Sequence, residues 1–370
     1  MKPTSFRPWL PWPVLRRRVV EPRRWFETSP SRAAVQSPGA PTLEIFNQHT
    51  KYLQKERAAA NVADSRKVDY LKDEVARRLT DRLLDINRNF PLVLDLGANS
   101  CNIARALSKP PIPPPGSEDE TPPEAINKIP LENRISHLIC AETSPRLLHR
   151  DDDLEPPAVS IEYSHLPSLE TLTYPPSHFD AVLSSLSLHW VNDLPSLLSS
   201  INAVLKPDAP FIAAMFGGDT LFELRTSLQL ADLERKGGVS PHISPMADTR
   251  DVGGLLTRAG FKLLTVDVDD IIVEYPDTFA LMADVQAMGE GNATLKSIGG
   301  PISRDVLLAN EAIYRELHCT EEEKEGGKIP ATFRIIYMIG WKEGEGQQKP
   351  LPRGSGQVNI KDILGGGEIK

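Results

Sequence analysis

The stretch Pro91 to Leu107, PLVLDLGANSCNIARAL, decides the fold. A short apolar run, Leu92 to Leu94, leads to Asp95. A tight turn, Gly97-Ala98-Asn99-Ser100-Cys101, follows, and then a helical pattern with Ile103, Ala106 and Leu107 on one face. Strand, turn and helix in this order form the entry unit of a doubly wound α/β sheet. Ligands of such sheets sit at the carboxyl end of the first strand, beside the helix N-terminus. Glycine serves such a turn where φ is positive or where a ligand approaches the backbone. Asn is the non-glycine residue best tolerated in the left-handed region, and Cys is small enough to pack by a helix start. The predicted loop therefore bends in the usual place and is more crowded than an all-glycine one.

Working outward, further strands are predicted at Ser136 to Ala141, Ala158 to Tyr163, Phe179 to Leu186 and Pro210 to Phe216. Strand residues recur at Phe261 to Val268, Asp270 to Tyr275 and Phe333 to Trp341. Helical periodicity covers Leu43 to Ala60, Tyr70 to Leu84, Arg250 to Ala259, Thr278 to Met288 and Ser303 to His318. Thr220-Leu221-Phe222-Glu223 reads as a capping box that opens another helix, and Gly237-Gly238 closes it. The alternation predicts α/β architecture: a mostly parallel seven-stranded sheet with helices on both faces. No internal repeat is visible.

The second strand ends at Glu142. An acidic residue there accepts hydrogen bonds from ribose hydroxyls in Rossmann-like sites, ordinarily about 20 residues past the turn. The spacing here is about twice that, and the Pro-rich, acidic segment Lys109 to Glu124 accounts for the excess. The competing reading of Glu142 is a solvated loop cap. Glu162, Ser164 and His165 follow the third strand, where an adenine contact would fall, and the sequence does not choose among them.

A chain of 370 residues holds one large domain or two small ones and buries a sizeable core. The net charge of −8 is unevenly spread. Eight basic residues against Glu21 and Glu27 give residues 1–41 a charge of +6, so the remainder carries −14. An acidic body argues against phosphate-backbone binding, so no nucleic-acid partner is expected; it suits a basic protein partner. Residues 1–41 are rich in Arg, Ser and Pro and lack a secretory apolar core, which reads as a mitochondrial presequence. The competing readings are a disordered basic arm and, for Arg16-Arg17-Arg18, a nuclear signal. No run of about 18 apolar residues predicts a membrane span. Cys101, Cys140 and Cys319 are scattered, make no disulfide framework or zinc pattern, and suit a reducing compartment. The expected organisation is a presequence at 1–41, one domain at 42–342 with a helical lid at its N-terminus and an insertion at 109–124, and a polar tail at 343–370.

Asp95-Leu96-Gly97, Glu142, the strand Phe179 to Leu186 and the LKPD turn at Leu205 to Asp208 resemble the order of a class I methyltransferase, whose turn is commonly Asp-x-Gly-x-Gly-x-Gly. More specific are SSLSLHWVNDLP (Ser184 to Pro195), AMFGGDTLFELR (Ala214 to Arg225), GGVSPHISP (Gly237 to Pro245), LMADVQAMGEGN (Leu281 to Asn292) and IIYMIGWK (Ile335 to Lys342). With these the chain resembles the mitochondrial complex I assembly factors described as arginine hydroxylases, relatives of the malonyl-carrier methyltransferases of biotin synthesis. The resemblance spans roughly Thr42 to Lys342. It implies a matrix protein that uses S-adenosylmethionine (SAM) and hydroxylates an arginine on a core subunit of respiratory complex I; peripheral association with the inner membrane stays open. It also implies cofactor contacts from Asp95, Gly97, Ala98, Asn99, Glu142 and Ser184. Asn99 and Cys101 stand where the pattern keeps glycines, which weighs against tight cofactor binding.

Two residues are the candidate catalytic groups. A neutral His189 imidazole beside Trp190 is placed to accept a proton, and the competing reading is a loop anchor. Asp219, at the next strand end, suits a cationic arginine or equally an N-cap. Arg225 and His242 are lesser candidates. Phe46, Lys51, Arg57 and Tyr70 read either as a lid over the cofactor's amino-acid end or as ordinary packing and surface charge. His149-Arg150-Asp151 and His178-Phe179-Asp180 have a His-x-Asp spacing, but neither is expected to bind iron, and no metal site is predicted. Two other functions stay open: a SAM-dependent methyltransferase acting on a protein or a small carboxylate, and a non-catalytic chaperone that holds a basic client segment.

Overall fold

Within Phe90–Leu96, Val93 to Leu96 are buried on both faces, which is why the strand reads as a nearly unbroken apolar run rather than an alternating one. It is the centre of the computed structural model, which describes residues 44–108, 131–295, 301–324 and 327–347. The strands are β1 (Phe90–Leu96), β2 (Ile135–Glu142), β3 (Ile161–His165), β4 (Ala181–Ser185), β5 (Pro210–Phe216), β6 (Phe261–Tyr275) and β7 (Ile329–Lys342). The helices are α1 (Gln48–Ala60), α2 (Val62–Lys67), α3 (Tyr70–Leu84), α4 (Asn102–Leu107), α5 (Leu131–Arg134), α6 (Pro145–Leu148), α7 (Leu194–Val204), α8 (Phe222–Lys236), α9 (Thr249–Arg258), α10 (Thr278–Ala287), α11 (Arg304–His318) and α12 (Glu321–Lys324).

The described strands make one seven-stranded sheet in the order β3-β2-β1-β4-β5-β7-β6. The first five run parallel, and β7 is antiparallel to both β5 and β6. The order reverses between β1 and β4, so a crevice opens at their carboxyl ends. One face of the sheet packs against α3, α4 and α8, and the other against α7 and α9. In α3, Leu71, Val75, Leu79 and Leu83 recur at helical spacing and are all buried, each contributing about 1.5–3 kcal/mol of transfer free energy.

Four local expectations give way to tertiary contacts. The first helix starts at Gln48 rather than Leu43, because Phe46 pairs as a bridge with Thr294 and the Asn47 side chain caps the helix. The third strand starts at Ile161. Residues 261–275 form one strand with an irregularity between Lys262 and Thr265. The capping box does not form: the Thr220 hydroxyl donates to the Arg334 carbonyl, Glu223 is taken by Thr332, and Leu221 adopts a left-handed φ of 53°. Gly237, left-handed at φ 68°, closes α8 as expected. The presequence segment 1–41, the insertion 109–124 and most of the tail lie outside the described residues.

Candidate active site

The β1–α4 turn is bent by three left-handed residues: Gly97 (φ 73°), Asn99 (φ 53°) and Cys101 (φ 58°). These are the positions where the repeating pattern would place glycines, and Asn99 and Cys101 adopt the same backbone at a steric cost. The amides of Gly97 and Ala98 donate to the Ala141 carbonyl at 2.8 and 3.1 Å, and the Asn99 amide donates to Glu142 Oε2 at 2.9 Å. The Asn99 side chain donates to the Ser185 carbonyl at 3.0 Å and so ties the turn to β4. The Ser184 hydroxyl donates to the Leu96 carbonyl, and the Ser187 hydroxyl to the Gly97 carbonyl, both at 2.7 Å.

Glu142 is fully buried at the end of β2 and is not solvated. Lys55, from α1, donates to both its carboxylate oxygens at 2.9 and 3.0 Å, and the Thr143 amide donates at 2.7 Å. Burial pushes the Glu142 pKa up, but the Lys55 ammonium and the Thr143 donors outweigh it and hold the group below its ordinary value. Asp95 has neither: both its oxygens are buried without a hydrogen-bond partner, and burial, with the Glu142 charge second, pushes its pKa well up.

A second buried carboxylate completes the site. Glu290, in the turn after α10, accepts from the Trp190 indole at 2.6 Å and lies 3.4 Å from His189 Nε2. Lys72 Nζ is 3.3 Å from Glu290 Oε1, and Lys51 Nζ is 3.8 Å from Oε2. Although burial opposes it, the lysines and His189 hold Glu290 well below the usual carboxylate range. Burial pushes His189 down, favouring its neutral form, and its Nδ1 has no partner. Burial also pushes Lys51 down to about 7. Lys51 and Lys55, four apart, project from one face of α1 into the crevice.

Two cavities meet at Trp190. One, of about 170 Å³, is mainly apolar, with walls that include Leu221, Leu224, Met282 and Met288, and it reaches Glu290. The other, of about 210 Å³, is lined by Lys51, Lys55, Thr143, Leu169 and Ser187. His242, bonded to buried Asp232 at 2.6 Å, stands on the wall of the apolar cavity.

The structure brings Asp95, Gly97, Ala98, Asn99, Glu142, Ser184 and His189 to the crevice. It places Asp219 apart: the side chain is mostly exposed and paired with Arg334. Of the His-x-Asp pairs, His149 pairs with Asp152 while Asp151 joins Arg66, Arg105 and Arg150; Asp180 is taken by Lys206 and the Leu92 amide. Among the described residues, no group of three or more His, Cys, Asp or Glu is arranged to hold a metal ion. Sequence reading missed Lys55, Lys72 and Glu290, and took Lys51 only as part of a lid or as surface charge. One signal was available: Lys72 falls on the apolar stripe of α3, with Ala76, Leu79 and Leu83.

Residues 68–266 match the family described as "Methyltransferase domain". A human protein named "Arginine-hydroxylase NDUFAF5, mitochondrial" is 46% identical over 322 residues, covering 87% of this chain and 84% of the relative. The chain belongs to the mitochondrial arginine-hydroxylase family. A Dictyostelium discoideum member of that name is 37% identical over 338 residues, covering 87% and 71% of the two chains. A "Malonyl-[acyl-carrier protein] O-methyltransferase" from Halorhodospira halophila is 27% identical over 297 residues, covering 80% and 89%. This arginine-hydroxylase family member is mitochondrial, an enzyme of the methyltransferase superfamily by descent and by fold. Lys51, Lys55 and Glu290 lie outside the matched methyltransferase region. No helix among the described residues is long and apolar enough to cross a membrane.

Proposed function

We propose that this chain is a matrix enzyme that hydroxylates an arginine on a core subunit of respiratory complex I during assembly. Family membership across most of the chain supports the reaction class. The observation that carries the substrate class is the buried Glu290 carboxylate at the end of an apolar cavity. An arginine side chain has that form, an aliphatic stem with a cationic head.

The crevice fits SAM in kind. Glu142 ends β2, the orphaned Asp95 carboxylate lies behind the turn, and a cavity opens beside Thr143 and Ser187. In the proposal Gly97, Ala98 and Asn99 shape the floor, Ser184 braces β4 against β1, and Glu142 takes the ribose hydroxyls once Lys55 gives up that carboxylate. When bound, SAM supplies an activated methyl group, the chemistry of the methyltransferase alternative. Hydroxylation instead replaces a C–H bond by C–O–H. With dioxygen as oxidant, one oxygen atom enters the product, the other leaves as water, and a reductant supplies two electrons and two protons. The chain's own residues bind the cation, exclude water and, at neutral His189, hold a proton acceptor beside Glu290. Asp219 has no substrate role in this proposal, since Arg334 engages it.

The test is mass spectrometry of the core-subunit arginine peptides from mitochondria with and without the protein. Loss of one oxygen atom in the deletion supports the proposal. Loss of a methyl group favours methyl transfer. An unchanged mass with failed assembly favours a chaperone.

A further inference from the structure

Lys51 is an awkward occupant of its site. Its ammonium lies 3.3 Å from the centroid of the Trp190 ring and donates to the Gly289 carbonyl at 2.9 Å and to the Gly291 carbonyl at 3.3 Å. Glu290 stands 3.8 Å away. One aromatic face, two carbonyl oxygens and one carboxylate make a site built only of cation acceptors. An ammonium is compact and strongly hydrated, and it fills such a site at the cost of its own desolvation. A guanidinium is flat and weakly hydrated and carries five donors in a fork. It can lie over an indole while donating outward in its plane to carbonyl and carboxylate oxygens.

We propose that Glu290, the Trp190 ring and the Gly289 and Gly291 carbonyls form the subsite for the guanidinium of the substrate arginine, and that Lys51 fills this subsite until the arginine displaces it. The proposal rests on the arginine-modifying reading above and adds the residues that recognise the head group. The apolar cavity reaches Glu290, Gly291 and Trp190, so the methylenes of the arginine pack along Leu221, Leu224 and Met288 while its head arrives at the subsite. The second cavity borders Trp190 from the side where Lys51 stands and receives the displaced side chain.

The charges around the subsite agree with displacement. Lys51 faces Lys55 on its own helix, Lys72 on α3, His189 in the turn Leu188–Trp190, and Glu290, and Lys55 in turn binds Glu142 at the end of β2. With His189 neutral, Lys55 and Lys72 balance Glu142 and Glu290, and a protonated Lys51 is one positive charge in excess. An incoming arginine, charged at every physiological pH, takes that place as the Lys51 side chain withdraws.

The experiment is isothermal titration of the full chain with an acetylated, amidated tripeptide carrying a central arginine, beside its citrulline and lysine counterparts. The arginine peptide is expected to bind and the neutral citrulline peptide not. Lys51→Met should bind the arginine peptide about tenfold tighter. Glu290→Gln should lose the preference for arginine over citrulline. Equal binding of arginine and citrulline, no binding of either, or unchanged or weaker arginine binding by Lys51→Met overturns the proposal. If Glu290→Gln fails to fold, Lys51→Met still decides. Hydroxylation in cells separates the two readings. Complementation by Glu290→Gln as good as by the unsubstituted chain overturns the subsite alone, whereas an unsubstituted chain that adds no oxygen overturns the arginine-hydroxylating reading.

Discussion

Asp95 sits in β1 between Cys140 and Leu183, buried on a face where no donor reaches it. Its raised pKa means that the folded chain keeps a proton which the unfolded chain gives up above 3.8. The stability from this group is full below that value and is lost as pH climbs towards the folded pKa. Asp95→Asn removes the titration, so it should raise stability near neutral pH by about 1–2 kcal/mol and flatten its decline with pH. Denaturant unfolding across the pH range checks this, and a variant less stable than the unsubstituted chain at every pH sinks the account. Gly97 poses the opposite constraint. A Cβ there would fall 2.3 Å from Ser187 Cβ, at a φ of 73°. Gly97→Ala should cost about 1–2 kcal/mol for the left-handed backbone and about 1–3 kcal/mol more for overpacking. Adding Ser187→Gly relieves only the second part. Full recovery of the unfolding midpoint by the double variant would show that the backbone carries no strain.

At the scale of elements, α1 is what separates this crevice from an open nucleoside site. Lys55→Met takes the competing cation off Glu142, so S-adenosylhomocysteine should bind about tenfold more tightly, with less stability in its absence because a buried carboxylate loses its partner. Calorimetry and thermal unfolding measure both, and unchanged affinity would mean that Lys55 does not guard the site. The parallel strands and α3 were legible because burial on both faces, or on one helical stripe, writes itself into local periodicity. The contacts of α1 were not. Lys51 read as part of a lid or as surface charge and Lys55 went unread, because their partners lie 238 and 87 residues away in Gly289 and Glu142. Thr220 and Glu223 show the same limit, since a local capping pattern lost its side chains to β7. The turn itself could be read because its geometry demands particular residue types. Glu290 could not, because a lone acid between two glycines looks the same in any exposed turn.

At the scale of the molecule, the decisive quantity is the −14 carried by residues 42–370, which the +6 of residues 1–41 partly masks. A client segment bearing arginine approaches a body of opposite sign, so long-range attraction raises the encounter rate before any contact forms. Salt shortens that attraction to about 8 Å at physiological ionic strength, whereas the buried subsite contacts are screened much less. Association and dissociation should therefore respond differently. Stopped-flow mixing of a labelled, arginine-containing core-subunit peptide should show the association rate falling about tenfold between low and high salt, with dissociation nearly constant. Residues 42–370 alone should give the steeper salt dependence, having lost the basic segment that offsets the field. If dissociation carries the salt effect instead, the acidic surface forms part of the bound interface. If neither rate moves, the charge of the body has no part in capturing the client.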